Sequence, residues 1–195
     1  SRDVAEDLVH YLKVPADKVT YIYNPVIGER FARRAAEACY HPFFEGKDPV
    51  FVAVGTLCKQ KDHKTLLEAF SAFTKKKRAK LLVLGAGDLY DELRSYAKEL
   101  DIDDSIDWLG YVNNPLPYMK RANVFVLSSI YEGLPTVVIE ATAVGTTVAA
   151  TDCPGGVREI LIDGESGYLA PMVCPAALSE AMDKACTNPF PCSVL

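Results

Sequence analysis

Two glutamates, Glu132 and Glu140, stand with seven residues between them in the stretch SSIYEGLPTVVIEATAVGTTVAATDCPGGVRE, residues 128–159. The apolar run Val124–Leu127 before it reads as a buried strand. Tyr131–Pro135 is a turn, with Gly133 and Pro135 as breakers. Thr136 stands at the N-cap or in the first turn of a helix over Val137–Val144, and Gly145 ends that helix. A helical side chain leans toward its helix N-terminus, so Glu140 leans back toward the turn that carries Glu132. The helix N-terminus between them offers free backbone N–H groups and the positive end of the dipole. Two carboxylates around an anion hole suit a ligand with both phosphates and hydroxyls, as a nucleotide sugar has.

A second loop invites the same chemistry. Gly55-Thr56-Leu57-Cys58-Lys59-Gln60-Lys61-Asp62 follows the apolar run Val50–Val54 and precedes a helix. Gly55 permits a tight backbone, and Lys61 stands just before the helix, where a diphosphate is naturally held. Gly85-Ala86-Gly87-Asp88 is a bare G-x-G, which a tight strand-to-helix turn explains as well as a ligand does. His10, His41 and His63 have no metal spacing and are assigned no role.

These loops need a frame. Strands are expected at Val50–Val54, Lys80–Leu84, Ser105–Leu109, Asn123–Leu127, Thr147–Thr151 and Gly167–Leu169. Helices lie between them, the clearest being His63–Lys75 with Leu66, Phe70 and Phe73 on one face. Continuously apolar strands imply burial on both faces. The fold class is therefore α/β, a Rossmann-like doubly wound parallel sheet, with ligands beyond the carboxyl ends of the strands. Ahead of this frame come an amphipathic helix over Ser1–Leu12, a strand over Val19–Tyr23 ended by Asn24-Pro25, and a helix over Gly28–Cys39.

Composition narrows the class. The chain has 195 residues, 49% hydrophobic and 24% charged, with net charge −5. That balance opposes a broad nucleic-acid footprint. No apolar run reaches a membrane span and no signal peptide opens the chain. The six cysteines show no C-x2-C pair, so no zinc site is expected, and a reduced, cytoplasmic protein is. The basic run Lys75–Arg78 complements a helix C-terminus, and is a candidate for peripheral contact with the inner face of an anionic membrane.

Glu-x7-Glu after a strand, followed by a small-residue helix, Gly, a strand and Gly155-Gly156-x-x-Glu159, resembles glycosyltransferase family 4, over about residues 1–188. The resemblance implies a retaining enzyme of the two-domain GT-B type that moves a sugar from a nucleotide diphosphate sugar to an acceptor, in polysaccharide, lipopolysaccharide or glycolipid synthesis. Residues 1–23 would be a remnant of the acceptor domain, 24–188 the donor-binding domain and 189–195 a tail. Lys61 and the amides of Thr136 and Val137 would hold the diphosphate. Glu140 would take the ribose hydroxyls, and Glu132 with the amides of Gly133 and Leu134 the sugar hydroxyls. Glu132 and Lys61 are the catalytic candidates. Gly55 and Thr56 would line the diphosphate site, and Leu109, Gly110 and Tyr111 would contact the base, whereas Trp108 is read as core. The family has Arg where this chain has Thr56, so either Lys59 or Lys64 replaces its charge or donor affinity is weaker here. No cofactor or metal is implied. The partners are a nucleotide sugar and a sugar or lipid-linked acceptor, bound through the absent first domain. A nucleotide-sugar epimerase or phosphorylase-type domain and a non-catalytic nucleotide-binding module are the alternatives.

Overall fold

The computed structural model describes residues 1–190. In chain order the helices are α1 (Arg2–His10), α2 (Phe31–Ala35), α3 (His63–Thr74), α4 (Tyr90–Glu99), α5 (Leu116–Arg121), α6 (Thr136–Ala143), α7 (Val157–Ile160) and α8 (Pro175–Thr187). The strands are β1 (Val50–Val54), β2 (Lys80–Leu84), β3 (Ile106–Gly110), β4 (Val124–Leu127), β5 (Thr147–Thr151) and β6 (Tyr168–Ala170). They form one sheet in the order β3-β2-β1-β4-β5-β6, every pair parallel. This is the doubly wound Rossmann-like order, which reverses between β1 and β4.

Both faces of the sheet are covered, which is why its strands read as unbroken apolar runs. Phe51 and Ala53 of β1 point into a cluster with Leu66 and Phe70 of α3, Leu93 of α4 and Leu178 of α8. Val50 and Val52 point the other way, toward Ala35 of α2, Met119 of α5, Val138 of α6 and Val157 of α7. The alternation along one strand follows from the two-residue period of side chains in an extended chain.

The register prepares the site. β1 pairs with β2 as far as Val54↔Leu84, and β4 with β5 as far as Leu127↔Ala150. β1 and β4 pair only at Phe51↔Val124 and Val52↔Phe125. Beyond that point the two central strands part, and a small cavity lined by Ala53, Val54, Val126 and Leu127 opens between them.

Several expected boundaries move. Val19–Tyr23 pairs with no strand among the described residues; Tyr21 packs edge-on to Tyr23 instead. The helix expected over Gly28–Cys39 shrinks to α2, because Ala35 is its only buried residue and Ala36–Ala38 are exposed. Asp103–Ser105 form a 3-10 turn, so β3 starts at Ile106. Asn123 precedes β4 and accepts from Val50 N at 2.8 Å through its side chain. Gly167 forms an isolated bridge with Asp163, and β6 begins one residue later. Pro189 and Phe190, read as tail, adjoin the sheet: Phe190 N donates to Thr147 Oγ1 at 3.0 Å. Residues 191–195 lie outside the described residues.

Candidate functional site

The loops after β1 and β4 meet above the parted strands. Lys61 Nζ donates to Glu132 Oε1 at 2.6 Å, with both side chains largely shielded from water (19% and 8% exposed). Ser129 Oγ donates to the same oxygen at 2.6 Å. Ser128 Oγ donates to the Lys61 carbonyl at 2.6 Å, and Ile130 N to the Gln60 carbonyl at 2.9 Å. Gln60 Nε2 donates to the Tyr131 carbonyl at 2.9 Å. One loop is thus stitched to the other through backbone and side chain. A shielded ion pair with a further donor on the carboxylate satisfies the condition for burying charge.

Glycines admit this geometry at two points. A Cβ on Gly55 would lie 3.3 Å from Lys61 Cε, so the lysine stem lies across it. A Cβ on Gly155, at φ +99°, would fall 1.6 Å from the Glu132 carbonyl oxygen. Only glycine permits that approach, and it sets the height of the Glu132 loop above β5.

Beside the ion pair lies a cavity of about 240 Å³ lined by Val54, Gly55, Thr56, Leu84, Gly85, Ala86, Tyr111 and Val112. Gly55, Thr56 and Tyr111 thus line one cavity together with Gly85 and Ala86. Tyr111 is 80% exposed at its rim. Gly110 bends the chain at φ +66°, and its carbonyl accepts from Gly85 N at 2.7 Å. The Leu109 side chain packs against the same core cluster as Val54, Leu84 and Val112. Trp108 packs against the opposite core, edge-on to Tyr90.

Thr136 is the first residue of α6 and Val137 the second. A helix leaves such amides without intrahelical partners. Gly133 and Leu134 lie in the turn before it, and Gly133 has open space where a side chain would stand. Glu140, one turn into the site's helix, is half-buried, and its side chain has no hydrogen-bond partner among the described residues. Burial pushes its carboxyl above the ordinary glutamate range, and the charge of Arg34 acts against that push. The two glutamates thus differ: Glu132 is engaged, Glu140 is open.

Neither lysine proposed to replace the charge missing at Thr56 lines that cavity. Lys59 and Lys64 border a separate one of about 170 Å³ with Cys58, Asp62, His63 and Glu92. Lys64 is tied to Glu92 at 2.6 Å.

Sequence reasoning missed His63, Ser128, Ser129 and Asp3, and had Glu159 only as part of the Gly155-Gly156-x-x-Glu159 motif. His63 is 5% exposed, borders the cavity between the parted strands, and has Nδ1 without a partner. Burial, and then the Lys61 charge, pushes its imidazole down to about 4, so it is neutral at physiological pH. Cys153 lies buried nearby, its thiol pushed up to about 11 by burial and by Glu132. The five cysteines among the described residues are free. Asp3 and Glu159 cap each other's helices. Asp3 Oδ2 accepts from Gly155 N (3.3 Å) and Gly156 N (3.1 Å) at the start of α7. Glu159 accepts from Arg2 N (3.0 Å) and Asp3 N (3.1 Å) at the start of α1, and from Tyr23 Oη at 2.6 Å. The signal for both was present, an acid in the first turn of each helix, but their pairing is a tertiary fact. Among the described residues no cluster of His, Cys, Asp or Glu forms a metal site, and no helix is long and apolar enough to cross a membrane.

A parallel sheet of reversing order, with polar loops gathered at its switch point, defines an α/β ligand-binding domain of the Rossmann-like type. The family model for glycosyl transferases, group 1, matches residues 41–193, and the chain belongs to that family. A Campylobacter jejuni relative, N-acetylgalactosamine-N,N'-diacetylbacillosaminyl-diphospho-undecaprenol 4-alpha-N-acetylgalactosaminyltransferase, is 35% identical over 169 residues. The match covers 87% of this chain and 44% of that protein, so the chain spans less than half of its relative's length. A glycosyltransferase structure from Rickettsia africae superposes with TM-score 0.82 at 20% identity, covering 96% of this chain and 52% of that one. The Anabaena protein HepE, in complex with UDP and glucose, superposes with TM-score 0.67 at 19% identity over 73% of this chain and 39% of its own.

Proposed function

We propose that this chain is the donor-binding half of a retaining GT-B glycosyltransferase of family 4, which moves a sugar from a nucleotide diphosphate sugar to an acceptor held by another lobe. The observation that carries the reading is the Lys61–Glu132–Ser129 cluster, beside the 240 Å³ cavity and before the N-terminus of α6. The base enters the cavity below Tyr111, and Glu140 accepts from the ribose hydroxyls. Lys61 and the amides of Thr136 and Val137 take the diphosphate, where charge builds up as the leaving group departs. Glu132 turns from Lys61 to the sugar hydroxyls, with the amides of Gly133 and Leu134. Thr56 supplies a hydrogen bond but no charge, so Thr56→Arg tightens diphosphate binding by about 1 kcal/mol. The residues present require no metal for this role. The relative from Campylobacter bears the name of a transferase acting on a diphospho-undecaprenol-linked sugar, which supports a lipid-linked acceptor and work at a membrane surface.

Residues 1–23 act as the edge of the acceptor lobe. On this reading residues 24–188 hold the donor, and transfer needs donor and acceptor to be held together in a closed cleft. The test is a panel of UDP, GDP, NAD and nucleotide sugars scored by thermal stabilisation, followed by nucleotide release with a broad set of acceptors. Stabilisation by a nucleoside diphosphate and its sugar, with negligible release, is expected. Stabilisation by NAD alone contradicts the reading, and turnover near 1 per second places the acceptor site inside this chain.

A further inference from the structure

Ser129 was no candidate in the sequence, yet it holds the carboxylate at the centre of the site. It is wholly shielded from water. Its carbonyl accepts from Thr151 Oγ1 at 2.6 Å, so the buried strand β5 fixes its backbone. Its hydroxyl donates to Glu132 Oε1 at 2.6 Å, the same oxygen that takes Lys61 Nζ at 2.6 Å. Glu132 is pinned as well. Its amide donates to the Pro154 carbonyl at 2.9 Å, and a Cβ on Gly155 would collide with its carbonyl oxygen. Both residues are therefore held at the backbone, close to their functional groups.

Lys61 is the partner that can move. Its carbonyl is held by Ser128 Oγ at 2.6 Å. The next residue, Asp62, caps α3 by accepting from Thr65 N and Thr65 Oγ1 at 3.4 and 2.6 Å. A long flexible stem separates that anchored backbone from Nζ. The stem crosses Gly55, where a Cβ would stand 3.3 Å from Lys61 Cε, and Gly55 lines the 240 Å³ cavity. Turning the last bonds of the stem carries Nζ from Glu132 toward that cavity while both loops stay in place. Both bonds to Glu132 converge on Oε1, which leaves Oε2 without a partner among the described residues.

We propose that Ser129 is a positioning residue, and that the Ser129–Glu132–Lys61 cluster makes the site select a nucleoside diphosphate that carries a sugar over one that does not. The inference rests on the donor-site reading above, in which Lys61 takes the diphosphate and Glu132 the sugar hydroxyls. When Lys61 leaves, a largely shielded carboxylate loses its ion-pair partner, and that separation is costly. Ser129 then remains as the donor that keeps Glu132 Oε1 satisfied and Oε2 available. Sugar hydroxyls that donate to Glu132 offset the lost ion pair, whereas a free nucleoside diphosphate brings none to that place. Transfer of the sugar removes those hydroxyls, Lys61 returns to Glu132, and the spent nucleotide leaves.

Two substitutions move this selection in opposite directions. Binding of UDP, UDP-glucose and UDP-N-acetylgalactosamine, and of GDP and GDP-mannose, is measured by calorimetry. The chains compared are the wild type, Ser129→Ala, Glu132→Gln and the double variant, each with its urea midpoint. Ser129→Ala alters no charge and removes the donor on which Glu132 depends most when Lys61 is away and no sugar is present. The free nucleoside diphosphate is expected to weaken by about three- to tenfold, as for one hydrogen bond. The sugar-bearing form changes less, so the preference for it rises. Glu132→Gln frees Lys61 and loosens the hold on the sugar, so the free nucleoside diphosphate tightens and the preference falls. In the double variant the effect of Ser129→Ala on the free nucleoside diphosphate is lost, the non-additivity of one coupled cluster. Should Ser129→Ala fail to fold, Ser129→Cys keeps a weak donor in its place and must show the same rise in smaller measure. Equal losses for both forms of ligand, or none, overturn the positioning role. An undiminished effect of Ser129→Ala beside Glu132→Gln overturns it too. If the wild type binds none of these nucleotides, the donor-site reading itself fails, a result distinct from both.

Discussion

In the α/β body Phe51, Phe125 and Leu82 are wholly shielded from water. Across residues 1–27 no side chain is buried, and Tyr11, Leu12 and Ile22 stand 72%, 69% and 85% exposed. The body coheres by removing apolar surface from water on both faces of its sheet. The N-terminal segment adheres through two carboxylates, Asp3 and Glu159, each capping the other's helix. Burial is cooperative and spread over many residues, whereas a polar clasp rests on a few atoms and on their charge state. The two regions should therefore fail independently and under different conditions, although they meet at Gly155, which touches the Glu132 loop on one side and Asp3 on the other.

The largest effect should come from the body. Phe125→Ala is expected to lower unfolding stability by about 3–5 kcal/mol in urea titration, while proteolytic access to α1 under native conditions stays as in the wild type. Acid should act on the body next. His63 titrates at about 4 in the fold against 6.5 when unfolded, so the unfolded chain takes up its proton first as pH falls. Stability is full above pH 6.5 and declines until pH 4, by on the order of 3 kcal/mol. The slope of stability against pH should flatten in His63→Gln.

At the junction, Gly155→Ala places a methyl group on the Glu132 carbonyl and in a left-handed backbone. A loss of about 1–3 kcal/mol is expected, together with weaker nucleotide binding and a looser α1. Retained binding with α1 loosened would show that the two regions do not share this loop.

The smallest global effect belongs to Glu159→Gln. The urea midpoint should hardly move, whereas amide exchange in α1 quickens. Burial raises the Glu159 carboxyl, but the Tyr23 hydroxyl and the Arg2 and Asp3 amides outweigh it, so it lies below the ordinary glutamate range. The clasp is therefore complete above that range and is lost as pH falls through the depressed value. Exchange in wild-type α1 that stays constant down to strong acid would contradict this account.

The parallel sheet was legible because burial on both faces writes continuous apolar runs such as Val50–Val54 and Thr147–Thr151 into the chain. Glu132 and Lys61 were legible because they lie in loops with glycine and helix signals on either side. Their mutual ion pair was not, since it depends on β1 and β4 parting after Val52 and Phe125. Val19–Tyr23 misled because its alternation is that of a strand, whereas it pairs with neither edge, β3 nor β6, of the sheet. The resemblance put Leu109 with Gly110 and Tyr111 at the base; in the fold it lies in β3, packed against the cluster that holds Val54 and Val112. Arg34 left no local signal: it precedes the sheet and meets the 113–114 loop through the Asn113 carbonyl and the Asn114 side chain.

The most direct test of the donor site is calorimetric titration of UDP and of uridine into the wild-type chain and into Lys61→Ala. If Lys61 leaves Glu132 to take the diphosphate, UDP binding weakens by roughly 1.5–3 kcal/mol, as for a charge-assisted bond, and uridine binding hardly changes. Equal losses for UDP and uridine, or none for either, would contradict a diphosphate held at the switch point between β1 and β4.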